Sequence, residues 1–339
     1  MPPFASLLVI ILFPQQFENN KNLPDLWWVV LVLLIDVGHV YSTLYRTYFD
    51  PAALKKQRSL LWTIPFFGFV AGVLMYSISH MLFWRLLAYV AVFHFIRQQY
   101  GFMRVYSRKE SKIGFSSLID NLSIYTAALC PLLYWHLRGP RNFNWFLEGD
   151  FFYLDVQALI FPLTVVYIVI LAAYFCKEML LFARYDYLNI PKIAIVSGTT
   201  LSWYFGIVYY NGDMAFTLLN VISHGIPYIG LVYLHGRKLH AKQSSNSRLL
   251  RLVFNRFGWV FFLIIIFLFA FIEEGIWDLT VWQEHNAVFG WRKIINLNLS
   301  EQTLSILVPL LALPQITHYI LDGFIWKVKD DDFAWGKYR

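Results

Sequence analysis

Four histidines, His39, His94, His224 and His318, stand inside four separate apolar stretches of this chain. A charged side chain at the centre of a bilayer costs at least ~2.5–3.5 kcal/mol, so ionisable residues in such stretches turn inward and mark a function. Neutral imidazole is the commonest nitrogen ligand for metals, and a hydrogen bond at its second nitrogen fixes its orientation. Two carboxylates are placed to give one: Asp36 precedes His39 by three residues and Asp322 follows His318 by four, so each pair shares a helix face. Asn220 stands one turn before His224, and Arg97 one turn after His94. The set predicts a metal centre with His39, His94, His224 and His318 as ligands and Asp36, Arg97, Asn220 and Asp322 as catalytic groups around it. Histidine with carboxylate and no thiolate suits iron, zinc or manganese better than copper(I) or an iron–sulfur cluster. Non-haem iron, one ion or two, is the expected cofactor, with zinc and manganese as the other candidates.

The elements that must position these residues are membrane helices. The chain has 339 residues, 58% hydrophobic and only 14% charged, far from the roughly 25% charged of soluble domains. It is expected to be all-α, a polytopic transmembrane bundle of about nine spans of about 20 residues each. They fall near 26–48, 60–79, 83–102, 119–136, 156–181, 191–210, 214–234, 252–271 and 304–325. Lys and Arg collect in alternate connections, among them Lys55, Lys56 and Arg58, then Arg104 and Arg108, then Lys177, Arg184 and Lys192, then Arg237 to Arg251. By the positive-inside rule that side and the C-terminus are cytoplasmic. The spans holding the four histidines all run inward. Counting down each, the histidines lie 10 to 14 residues deep, roughly 15–21 Å at helical rise, in one layer.

The domain division expected is a short apolar or interfacial segment over 1–25, one transmembrane domain over 26–326 and a cytoplasmic tail over 327–339. Phe4 to Phe13 is too short to span and lacks the flanks of a signal peptide, although a tenth crossing there would leave the later topology intact. Cys130 and Cys176 read as packing, with no disulfide framework. The other histidines, His80, His136, His235, His240 and His285, read as solvated surface residues. Trp27, Trp28, Trp84, Trp135, Trp277 and Trp282 read as an aromatic belt near the outer ends. The segment 272–303, with Glu273, Glu274 and Asp278, reads as extramembrane with a short cap helix. The net charge of +7 sits in loops whose partners are membrane lipid headgroups, so no nucleic-acid role follows.

A metal in a dry cavity among apolar helices suits oxygen chemistry on a hydrophobic small molecule: hydroxylation, desaturation or oxidative cleavage, with dioxygen as co-substrate. A proton-coupled transporter using Asp36, His39, His94, Arg97, His318 and Asp322 as a relay is one alternative. A membrane acyltransferase with one buried histidine base is another, which leaves three histidines without a role. The stretch Asp36, Val37, Gly38, His39 and the stretch Phe93, His94, Phe95 resemble the first two iron-ligand regions of the bacterial carotenoid-cleaving dioxygenases. That resemblance implies a multi-pass protein of a bacterial inner membrane, with one non-haem iron held by histidines on separate helices. Where that family places paired histidines on one helix, this chain has Asn220 and His224, so His318 would replace the missing partner. Separately, the run from His318, Tyr319 and Asp322 to Trp326 and Lys327 resembles the ending of an uncharacterised group of bacterial multi-pass proteins, which implies no activity. No segment specifies a redox partner.

Overall fold

The computed structural model describes residues 2–17, 23–108, 110, 115–240, 247–290, 297 and 299–326, and the expected tail 327–339 lies outside them. The described residues form helices and turns with no strand. Six helices are long and apolar enough to cross a membrane: Asp25–Arg46, Arg58–Ile78, Gln157–Tyr185, Asp213–His240, Trp259–Trp282 and Glu301–Ile325. The other three stretches expected to span are also helical, in His80–Ser107, in Ser116–Arg138, and in Ile190–Trp203 with its π-helical continuation Tyr204–Tyr209. They carry more polar residues, among them Arg85, Arg97, Gln98, Gln99, Asp120 and Lys192. The chain divides into two compact units, one made of Met1–Leu23 and Val92–His224, the other of Pro24–Ala91 and Gly225–Arg339.

In the first unit, Ser116–Arg138 packs along Ile160–Tyr185 and against Ile190–Trp203. The short helix Pro2–Leu12 lies on Ile190–Trp203, where Gly198 leaves room: a Cβ there would stand 3.0 Å from Pro3 Cγ. Lys177 and Lys192, expected in cytoplasmic connections, are buried instead. Lys192 Nζ is 2.7 Å from Glu178, 3.0 Å from Glu110 and 3.6 Å from Asp120, and Lys177 pairs with Asp120 and Glu178. Ammonium groups at that depth are tolerated because carboxylates on neighbouring helices neutralise them. His136, expected on the surface, is buried, with Nδ1 2.8 Å from the Leu132 carbonyl.

In the second unit, Trp259–Trp277 packs along the first spanning helix and Arg58–Ile78 packs on both halves of the last. The first spanning helix is not uniform: it opens into π-helical turns over Val29–Val37, returns to α over Gly38–Ser42 and tightens over Thr43–Arg46. π-Helical turns are rare and concentrate at functional sites. The last span is broken into Glu301–Leu311 and Leu313–Ile325, because Pro314 has no N–H for the carbonyl four residues before it. Three surface expectations fail in this unit. Trp28, Trp84 and Trp277 are buried, with Trp84 5.9 Å from Trp277 and 5.2 Å from Trp282. His235 is buried with its ring edge-on to Trp326, since its helix continues to His240. Glu273, Glu274 and Asp278 are buried, and they belong to the Trp259–Trp282 helix, which is long and apolar enough to cross a membrane, where a separate extramembrane segment was expected.

Candidate metal centre

His39 and His318 belong to the second unit. His39 follows the π-helical stretch directly, and its ring meets that of His318 at 4.9 Å and 77°. Gly225 sets the approach of the Asp213–His240 helix to this corner: a Cβ there would lie 2.7 Å from Ile35 Cγ2 and 3.0 Å from the Ile35 carbonyl. The hydrogen bonds around His318 run in one order. Trp326 Nε1 donates to the Tyr228 hydroxyl at 3.2 Å, and that hydroxyl donates to Asp322 Oδ1 at 2.5 Å. The proton between Thr43 Oγ1 and the Tyr228 oxygen, 2.9 Å apart, is therefore the threonine's. Thr43 Oγ1 is then left to accept from His318 Nδ1 at 2.7 Å. This order puts the His318 proton on Nδ1, so Nε2 carries the ring's lone pair.

The two aspartates keep more distance than the sequence suggests. Asp322 Oδ1 is 3.7 Å from His318 Nδ1, and Asp36 Oδ1 is 3.7 Å from His39 Nδ1, beyond hydrogen-bond length. They are positioned to offset positive charge, while Thr43 orients the ring. Thr43 and Tyr228 are the functional partners that sequence reasoning missed as a pair. Tyr228 stands one turn from His224, but hydroxyl residues inside helices are too common for Thr43 to stand out.

His94 and His224 belong to the first unit. Their rings meet at 5.0 Å and 81°, and the His224 ring lies flat on Phe95 at 3.5 Å and 5°. Pro227 lacks the N–H that would bond the Ser223 carbonyl. Gln99 Nε2 donates to that carbonyl at 3.2 Å, and Gln98 Nε2 donates to the His224 carbonyl at 2.9 Å. Two consecutive glutamines thus hold the backbone that carries His224. Asn220 is buried, with Nδ2 donating to the Phe216 carbonyl at 2.9 Å and Oδ1 without a hydrogen-bond partner. Arg97 is exposed, donates to the Tyr125 hydroxyl at 2.5 Å and lies 4.9 Å over the Tyr100 ring, so it is not among the residues gathered with the histidines.

Each unit thus sets two buried imidazoles side by side, His39 with His318 and His94 with His224, and such a pair can supply ligands to a metal ion. No family model, curated protein or solved structure matches the chain.

The donor type fits a first-row metal: neutral imidazoles bind at about 2.0–2.1 Å, and within each unit the paired rings stand 4.9 Å and 5.0 Å apart by centroid, close enough to turn a nitrogen each toward a common point. Neutral imidazoles leave the charge of a divalent ion uncompensated, and Asp36 and Asp322 stand just behind His39 and His318, where they could offset it.

Proposed function

We propose that this protein is an integral-membrane non-haem metal oxygenase or oxidase, with iron as its metal, acting on a lipid-soluble substrate by hydroxylation, desaturation or oxidative cleavage. The observation that carries the reading is the pairing of buried imidazoles in each unit, His39 with His318 and His94 with His224, donors suited to a redox-active first-row metal. Iron bound there would supply one-electron chemistry toward dioxygen. Each histidine serves as a ligand, with Thr43 fixing the tautomer of His318 and Asp36 and Asp322 balancing charge. In this reading the chain sits in the cell membrane with nine spans and a cytoplasmic C-terminus, and Asn220 lends its unpaired oxygen to a substrate or to water.

A cleft of about 370 Å³ supports the substrate class. It is lined by apolar side chains of Arg58–Ile78, His80–Ala91 and Leu313–Ile325, including Phe67, Met75, Phe83, Leu87, Ile316 and Ile320. A volume of that order holds a hydrophobic small molecule.

Elemental analysis of the purified protein tests the reading. About one equivalent of iron in the wild type, with loss in His39→Ala, His94→Ala, His224→Ala and His318→Ala, is the expected result for a single mononuclear centre. Unchanged metal in all four variants, or no metal in the wild type, would sink it.

A further inference from the structure

Tyr228, in the second unit, has more around it than the orientation of His318 requires. Three tyrosines are almost fully buried: Tyr45, Tyr174 and Tyr228 are 2%, 0% and 0% exposed. The hydroxyls of Tyr45 and Tyr174 have no hydrogen-bond partner. The Tyr228 oxygen has three: it donates to Asp322 Oδ1 at 2.5 Å and accepts from Thr43 Oγ1 at 2.9 Å and from Trp326 Nε1 at 3.2 Å. An O–H···O separation of about 2.5–2.7 Å marks a charge-assisted bond, here a phenol donating to an ionised carboxylate.

Taking an electron from a buried phenol leaves a cation, which an apolar site strongly disfavours. The step becomes feasible where the proton leaves with the electron, and that needs a base within hydrogen-bond reach. Asp322 Oδ1 is in reach, while Thr43 and Trp326 can go on donating to the oxygen once its proton has gone. The electron also has a short route, because the Tyr228 ring stands edge-on to His318 at 5.1 Å and to His39 at 5.8 Å. On another side the Trp326 ring is 6.1 Å from Tyr228, with Arg46 Cζ 5.0 Å over it. A guanidinium that close makes it harder for the indole to become a cation itself. The hole therefore stays on Tyr228 and does not pass to Trp326.

We propose that Tyr228 is a redox-active tyrosine, which gives one electron to an oxidant beside His39 and His318 while its proton crosses to Asp322 Oδ1. The phenolic O–H bond breaks and an O–H bond forms on the carboxylate. The products are a neutral phenoxyl radical, a neutral carboxylic acid at Asp322 and an oxidant reduced by one electron. That oxidant is, by class, a high-valent first-row metal ion. Return of one electron brings the proton back across the same bond. The inference rests on the metal-centre reading for its natural oxidant, and the test supplies another.

The test is photo-oxidation of the full-length protein in detergent by ruthenium(III) tris-bipyridine, generated with a flash and a sacrificial electron acceptor. Electron paramagnetic resonance reads the radical, and ring-deuterated tyrosine identifies it as tyrosyl. A long-lived tyrosyl signal is expected in the wild type, lost in Tyr228→Phe and kept in the control Tyr45→Phe. A positioned base contributes about 100- to 10,000-fold, so Asp322→Asn, which keeps the shape of the side chain, should lower the signal at least about tenfold. A tyrosine that only orients His318 would leave no such dependence. Absence of a long-lived tyrosyl signal from the wild type, or a signal in Tyr228→Phe within twofold of wild type, would overturn the proposal. Wild-type yield in Asp322→Asn would overturn the proton step. Elemental analysis of the same preparations separates this from the metal-centre reading: a signal that depends on Tyr228 in protein holding no metal would support the redox tyrosine and remove the metal centre alone.

Discussion

Thr43→Val is the most discriminating substitution near the histidines. Thr43 is buried, and its Oγ1 stands 2.7 Å from His318 Nδ1 and 2.9 Å from the Tyr228 hydroxyl. Valine has the same shape without the oxygen, so packing is retained and only the hydrogen bonds are lost. The His318 Nδ1–H is then left without its acceptor, at a cost of about 1–3 kcal/mol for a buried group. Part of that cost falls on the metal-bound state, because an imidazole no longer held in one tautomer is a poorer ligand. Loss of such an orienting partner weakens metal binding by about 10- to 100-fold, or about 1.4–2.8 kcal/mol. Competition against a chelator of known affinity measures it on purified protein, with Thr43→Ser as the rescue that restores the acceptor. Valine binding metal within twofold of wild type, or serine weakening it as much as valine, would refute the assignment of the His318 proton to Nδ1.

Three further outcomes are expected. Because imidazole must be neutral to coordinate, protons compete with the metal, and affinity should fall as the pH is lowered; equilibrium dialysis across a pH series showing no loss would contradict a histidine centre. Gly225→Ala forces a methyl against the Ile35 carbonyl and should cost about 1–3 kcal/mol in detergent unfolding, whereas Gly230→Ala, with nothing within 4 Å, should be neutral. Lys192→Met strips the fully buried ammonium from Glu110, Asp120 and Glu178 and should destabilise by about 3–5 kcal/mol, seen as a lowered Tm and poor yield; an unchanged Tm would mean that the Lys177 amine alone neutralises the cluster.

The four histidines could be found from sequence because depth along a helix is a matter of counting, and counting survives errors of a few residues at each end. What surrounds them could not. Thr43 acts through a side chain 275 positions away in sequence, and no periodicity encodes that partnership. Glu273 and Glu274 read as the end of a span because an adjacent acid pair closes any hydropathy window, whereas their helix runs on to Trp282. His136 and His235 looked superficial for the related reason that both stand near the ends of expected spans, yet their helices continue past them or pack over them. Arg97 shared a face with His94 by spacing and still turned to Tyr125 and Tyr100, since a long cation follows whatever aromatic faces and hydroxyls surround it.

The π-helical turns of Val29–Val37 bear on how His39 is delivered. Each such turn holds more residues than an α-turn, so the stretch gains less height and less rotation of the side-chain direction than ordinary helix with the same number of residues. Shedding one residue toward either neighbour would convert a wide turn to α and swing everything beyond it around the axis by about a quarter-turn, from 3.6 residues per 360°. His39 lies immediately past that adjustable stretch, so the first helix can act as a dial for one ligand, and removing a single residue from Val29–Val37 would turn that imidazole away while leaving the span apolar and intact.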